Sequence, residues 1–342
     1  MKTRLAALMA LFVGIISAQV EMNYSYEMKY GKGNQVNSLT QDTTEYSYFE
    51  NLLDINTTFS NGVYLFTQLE YSNPPVLGET LKGLSRFYLD YYWDRLYLKI
   101  GDIYSLQGRG LTLNLLQDQN IDYDNSVRGL ETRFNILDFF SLYAILGQSE
   151  YKYRSDPAER ENDKFLDSKL GFIGFEHEND LIGTTSSSIL VNEISSKDIN
   201  HNPRYTLTEY DISLNKQIAN IDIYIEAVLS GTDVNNWENG SKFYATAFMD
   251  LYDYGITYEY KNYNLDSHVD IISANPPIVF RESSSTLISS NVHAINWRDE
   301  IGHQIEINKK FSDHFIIQTN TSFSFRHQKE GSVNISLMDI LQ

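Results

Sequence analysis

Apolar and polar residues alternate with a period of two, again and again, along almost the whole chain. In Val20–Tyr30 the residues Met22, Tyr24, Tyr26, Met28 and Tyr30 share one parity, and Glu21, Asn23, Ser25, Glu27 and Lys29 the other. Successive side chains on a strand point to opposite faces, so such a segment has one apolar face and one polar face. The pattern recurs in Leu84–Trp93, where Phe87, Leu89, Tyr91 and Trp93 alternate with Arg86, Tyr88, Asp90 and Tyr92. It is cleanest in the pair Thr206–Lys216 and Ile221–Leu229, with Asp211, Asp222 and Glu226 on the polar parity. A helical stripe would need a period near 3.6, and these segments do not show one.

Fifteen such segments follow one another by this reading. Short turn signals and longer polar stretches separate them in strict alternation. Asn61-Gly62, Asp94-Arg95, Glu178-Asn179-Asp180, Ala219-Asn220, Asp250–Asp253 and Phe311-Ser312-Asp313 are the short ones. Asn-Gly in particular tolerates the positive φ of a two-residue hairpin. Gly31–Thr44, Glu150–Lys164, Gly231–Gly240 and Asn262–Asp299 are among the long ones. Strands of about ten residues, apolar-out and polar-in, with short turns at one end and long loops at the other, predict an antiparallel up-and-down transmembrane β-barrel. Gly331–Gln342 adds no strand by this reading. A closed barrel needs an even count, so the expectation is about fifteen strands present, at least one missing, and a chain incomplete at its C-terminus.

Residues 1–18 have the build of a cleaved secretory signal. Lys2 and Arg4 precede an apolar run from Leu5 to Ile16, and Ser17-Ala18 offers small residues before Gln19. That run is too short for a membrane-spanning helix, and no Cys follows it to carry a lipid. Residues 19–342 are then the barrel domain. Mean hydropathy is −0.36, which hides a barrel because only every second strand residue meets lipid. The 25 Tyr and 18 Phe suit strands and membrane interfaces. A formal charge of −18 argues against nucleic acid as a partner and fits solvated acidic loops.

The chemical motifs are few. His177, His201, His268, His293, His303, His314 and His327 have no metal-ligand spacing, and there is no Cys. Ser283-Ser284-Ser285 has no Gly-x-Ser-x-Gly context, so neither a metal, a cofactor nor an enzymatic activity is expected. Gly108-Arg109-Gly110 lacks the Lys-Ser/Thr of a phosphate loop. It opens a stretch with Leu111, Leu113, Leu115 and Leu116, too apolar for a loop lying wholly in solvent. Two readings fit. The loop folds into the barrel mouth and brings Arg109 to the wall as a constriction, with Gly108 and Gly110 allowing the bend; or the preceding strand runs on outward as a hairpin. Charges on the polar parity, Glu27, Lys29, Glu70, Arg86, Asp90, Lys99, Asp211, Asp222, Glu226, Glu259 and Lys261, are expected to face the lumen.

Gly101-Asp102, together with Gly108-Arg109-Gly110-Leu111-Thr112-Leu113, resembles families of Gram-negative outer-membrane barrels that have no assigned function. Asn275-Pro276-Pro277-Ile278-Val279-Phe280-Arg281-Glu282 is similar to a segment of the same group. The resemblance spans most of the mature chain as a pattern and implies fold and location, with no activity. Such families usually run longer, which agrees with the missing strand. The expectation is a porin-like channel or binding protein for small polar solutes in the outer membrane, in contact with its lipid. The rival is a plugged barrel that partners other envelope proteins in a secretion, adhesion or motility assembly.

Overall fold

Alternation turns into ladder pairing along the chain. The computed structural model describes residues 20–36, 43–75, 80–118, 123–153, 164–196, 204–233, 240–264, 299–312, 315–325, 327 and 331–341. The signal segment, Asn275–Glu282, Ser283–Ser285, His201, His268, His293 and His314 lie outside them. In chain order the strands are β1 (Val20–Val36), β2 (Thr43–Phe59), β3 (Val63–Ser72), β4 (Leu81–Trp93), β5 (Leu96–Ile103), β6 (Gln117–Asp118) and β7 (Tyr123–Asp124). Next are β8 (Val127–Leu137), β9 (Phe140–Tyr153), β10 (Lys164–Asn179), β11 (Gly183–Ser196), β12 (Arg204–Ile218) and β13 (Ile221–Thr232). The last are β14 (Gly240–Leu251), β15 (Tyr254–Asn264), β16 (Asp299–Ser312), β17 (Phe315–Phe325) and β18 (Gly331–Leu341).

β6 and β7 pair only with each other, inside the connection between β5 and β8. The other sixteen form one sheet in which each strand pairs antiparallel with its neighbour in sequence. This is the up-and-down order of a transmembrane barrel. Fifteen of the sixteen are the segments of alternation. The exception is β18, which pairs with β17 from Phe325↔Gly331 to Phe315↔Leu341, so Gly331–Gln342 does supply a strand. With sixteen strands the parity argument for a missing one no longer applies. Among the described residues no ladder joins β1 to β18, and the sheet has two free edges.

The strands also run longer than alternation marks them. β1 continues to Val36, with Gly31 opposite Tyr48 and Gly33 opposite Tyr46. A Cβ on Gly31 would meet the Tyr48 ring, so the ring fills the space that glycine leaves and the ladder carries on. Turns close where glycine or a left-handed residue sits, as at Gly62 (φ 83°) and Ala219 (φ 55°).

Antiparallel partners point to the same face, so the registers carry one face around the sheet. Glu27 faces with Leu52, which faces with Glu70; Gln68 faces with Arg86; Asp90 faces with Lys99. Farther on, Asp211 pairs with Val228, Glu226 with Tyr244, and Tyr244 with Lys261. The opposite face leaves Met22, Tyr24, Leu69, Leu146, Ile173, Ile212 and Leu229 exposed. Each such side chain gains about 1.5–3 kcal/mol from an apolar surrounding, which lipid supplies. The core therefore lies on the polar face of the sheet, around the segment between β5 and β8.

Candidate functional site

The segment leaving β5 folds back as a hairpin. Leu115 N–H donates to the Ser105 carbonyl at 2.8 Å, and Gln107 N–H to the Leu113 carbonyl at 3.0 Å. Leu106 and Asn114 form a bridge between the two arms. The buried side chain of Asn125 fixes the base: it accepts Leu116 N–H at 2.6 Å and donates to the Asn114 carbonyl at 2.8 Å. The stretch is a hairpin, and it turns to the polar face of the sheet rather than running outward from β5.

The tip, Gln107–Thr112, docks on β12–β14, five to seven strands along the sheet from β5. Glu226 on β13 is fully buried; its Oε2 accepts Arg109 N–H at 2.7 Å and the Tyr224 hydroxyl at 2.5 Å. Its Oε1 accepts Leu111 N–H at 3.4 Å. The alternate amides of Arg109 and Leu111 make a small cradle that gives the buried carboxylate the hydrogen-bond partners its burial requires. Thr112 Oγ1 donates to Asp211 Oδ2 at 2.8 Å, and Lys242 Nζ donates to the Leu111 carbonyl at 2.5 Å. Lys242 also pairs with Glu209 at 2.8 Å, and Glu209 accepts Ser230 Oγ at 2.5 Å.

The glycines make this contact possible. Gly108 and Gly110 sit at φ 57° and 82°, where L side chains are strained. A Cβ on Gly108 would also lie 2.6 Å from the Tyr224 hydroxyl and 2.7 Å from Glu226 Oε2. Arg109 between them stays exposed, its guanidinium 5.2 Å from the Tyr224 ring centre. Among the described residues that guanidinium has no carboxylate partner.

Behind the tip the leucines enter apolar surroundings. Leu113 and Leu115 join Ile103, Val127, Ile145, Leu170, Phe172, Leu190, Ile194 and Leu207 in one buried cluster on β5 and β8–β12. Leu111 packs with Val228, Tyr244 and Tyr263 in a second. At the hairpin's root, Ser105 Oγ donates to Glu131 at 3.2 Å.

The registers put all the expected lumen charges on one face, but in different surroundings. Glu27 and Lys29 form an exposed pair at 3.7 Å, and Asp222 is exposed near the β12–β13 turn. Glu70 is half-buried and accepts Ser72 Oγ at 2.6 Å. Arg86 is half-buried on β4. Asp90 pairs with Lys99 at 3.6 Å, and Lys99 lies 4.2 Å over the Tyr88 ring. Glu259 accepts the Tyr244 hydroxyl at 2.7 Å, and Lys261 pairs with Glu300 at 2.7 Å. Asp211 and Glu226 are buried under the tip, so they hold the hairpin and do not face open water. Lys242, Glu209, Tyr224 and Thr112 complete the dock and were not expected there. Lys242 and Glu209 also lie on the polar parity of their strands, the one sequence signal they carry.

No curated protein matches the chain. Among solved structures it is similar to Pseudomonas aeruginosa OpdQ, at 12% identity and TM-score 0.49, covering 90% of this chain and 81% of that one. It is similar to the outer membrane protein opdK of Pseudomonas aeruginosa, at 12% identity and TM-score 0.49, covering 92% and 85%. Acinetobacter baumannii OccAB2 shares 8% identity at TM-score 0.49, with 91% and 81% covered. One family model, described as a family of unknown function (DUF6029), matches residues 1–334. A match of that extent, over a chain with this up-and-down sheet and inward hairpin, makes the protein a member of that family of unknown function, DUF6029.

Proposed function

We propose that this protein is a porin-like outer-membrane channel for small polar solutes, without enzymatic activity, and that the Ser105–Leu115 hairpin narrows its path. The supporting observation is the hairpin tip, held across the interior by Glu226, Asp211 and Lys242, with the exposed Arg109 guanidinium beside Tyr224 and without a carboxylate partner among the described residues. A sixteen-strand barrel is wide enough to leave an aqueous channel, and a loop fixed inside it reduces the cross-section to where its tip ends. Arg109 then carries the free charge at the narrowest level. The other lumen charges act as a background field on passing ions.

Planar-bilayer recording of the full-length protein tests this. Single-channel steps are expected, and Arg109→Ala should raise conductance or shift the ratio of cation to anion permeability. Steps identical in the two proteins would make Arg109 an ordinary exposed residue. A folded, membrane-inserted protein that never conducts would favour the plugged barrel that partners other envelope proteins.

A further inference from the structure

The inner face of the sheet is not uniform around its circumference. On β9–β12 its residues are buried: Ile145, Leu170, Phe172, Leu190, Ile194 and Leu207 form an apolar wall, beside which Ser188, Glu209, Asp211 and Ser213 are also buried. The register runs several of these side by side, Ile145 with Phe172 and Phe172 with Leu190. The hairpin leucines Leu113 and Leu115 close over them. On β1–β3 the same face carries Ser25, Glu27, Asp54, Asn56 and Glu70, all exposed or half-buried. On β17 it carries Gln318, Asn320 and Ser322, again half-buried, with Ser322 paired to Gln304. Burial thus divides the interior, with Gln68 and Ser72 on β3 the buried exceptions on the β1–β3 side.

We propose that the water path is eccentric: it runs along the inner faces of β1–β4 and β17, while the interior behind the hairpin on β9–β13 is dry. This rests on the channel reading for its function, since a path matters only if solutes cross. An apolar wall under a leucine-bearing cover excludes water, and the buried polar groups beside it are already partnered: Asp211 by Thr112, Glu226 by the Arg109 amide, and Glu209 by Lys242 and Ser230. Wall side chains of β1–β4 then contact a solute after Arg109, with Asp54, Glu70 and Arg86 as the charges that sort it. Asp211 and Glu226 play no direct part in sorting, because the hairpin occupies them.

The chain contains no Cys, so single substitutions give unique thiols. Ser25→Cys and Ser322→Cys mark the wet side; Ser188→Cys and Ser213→Cys mark the dry side, where both serines are buried on the same face. Each full-length variant is folded in detergent, checked by heat-modifiable migration, and treated with a small cationic methanethiosulfonate. Labelling is followed by mass, and current is followed in bilayers. Positions 25 and 322 should react at least about a hundredfold faster than 188 and 213, since accessibility governs the rate when thiols are otherwise ordinary. Labelling there should also lower the current by adding a cation to the path. Equal rates on the two sides would overturn the proposal, and so would unreactive thiols at 25 and 322. The labelling contrast in a protein that carries no current would keep the dry side and remove the channel function instead.

Discussion

Glu226 meets two backbone amides and a phenol with one carboxylate, and nothing else in the hairpin dock is held at so many points. Hydrogen bonds to a charged acceptor contribute about 1.5–3 kcal/mol each, and leaving the amides unpaired adds their desolvation cost. Glu226→Ala should therefore raise the fraction of undocked tips by roughly thirtyfold or more, at about 2 kcal/mol lost. Trypsin reads this directly, since a docked Arg109 backbone is protected and a released one is cut after residue 109. Unchanged cleavage in Glu226→Ala would show that Thr112, Lys242 and the leucines suffice. Gly108→Ala should act in the same direction, because a Cβ at φ 57° is strained and strikes the Tyr224 hydroxyl. Rates equal to wild type would mean that the turn can shift without losing its cradle.

The hairpin as an element depends more on its leucines than on its tip. Leu113 is fully buried among Ile103, Ile145 and Phe172, so Leu113→Ala should cost about 2–5 kcal/mol by lost contact and cavity. The expected readout is a lower temperature for the shift from the folded to the unfolded gel band, with current noise increased by a looser cover. An unchanged temperature would place the leucine outside the cooperative core. How far such elements can be read beforehand depends on the range of the forces that make them. Strand positions were legible because the lipid–water contrast acts on every second residue and leaves a local trace. β18 was not, because its apolar positions Val333, Ile335 and Leu337 give way to Met338 and Ile340 on the other parity. The leucines after Arg109 announced burial, and the glycines announced a bend. The direction of the fold was hidden, since Glu226 lies 117 residues from Arg109 and no local pattern points to it.

At the scale of the whole molecule, acids outnumber bases on the inner face of β1–β4, with Glu21, Glu27, Glu50, Asp54, Glu70 and Asp90 against Lys29 and Arg86. A conducting pore should prefer cations weakly at low salt and lose the preference near 1 M, where screening shortens to about 3 Å. Reversal potentials under a salt gradient measure this, and a clear anion preference at low salt would mean that Arg109 outweighs the wall. The full-length protein should also sediment with the outer membrane and migrate faster unheated than heated; recovery as a soluble periplasmic protein would overturn the membrane assignment. The crossing hairpin further sets an order in time. Its residues are made and threaded long before β12–β14, to which it is tied. Neighbouring strands can zip by local closure, whereas this contact waits on a loop of more than a hundred residues. During assembly the hairpin thus stays undocked until β12–β14 are in place, and its dock is among the last contacts to form.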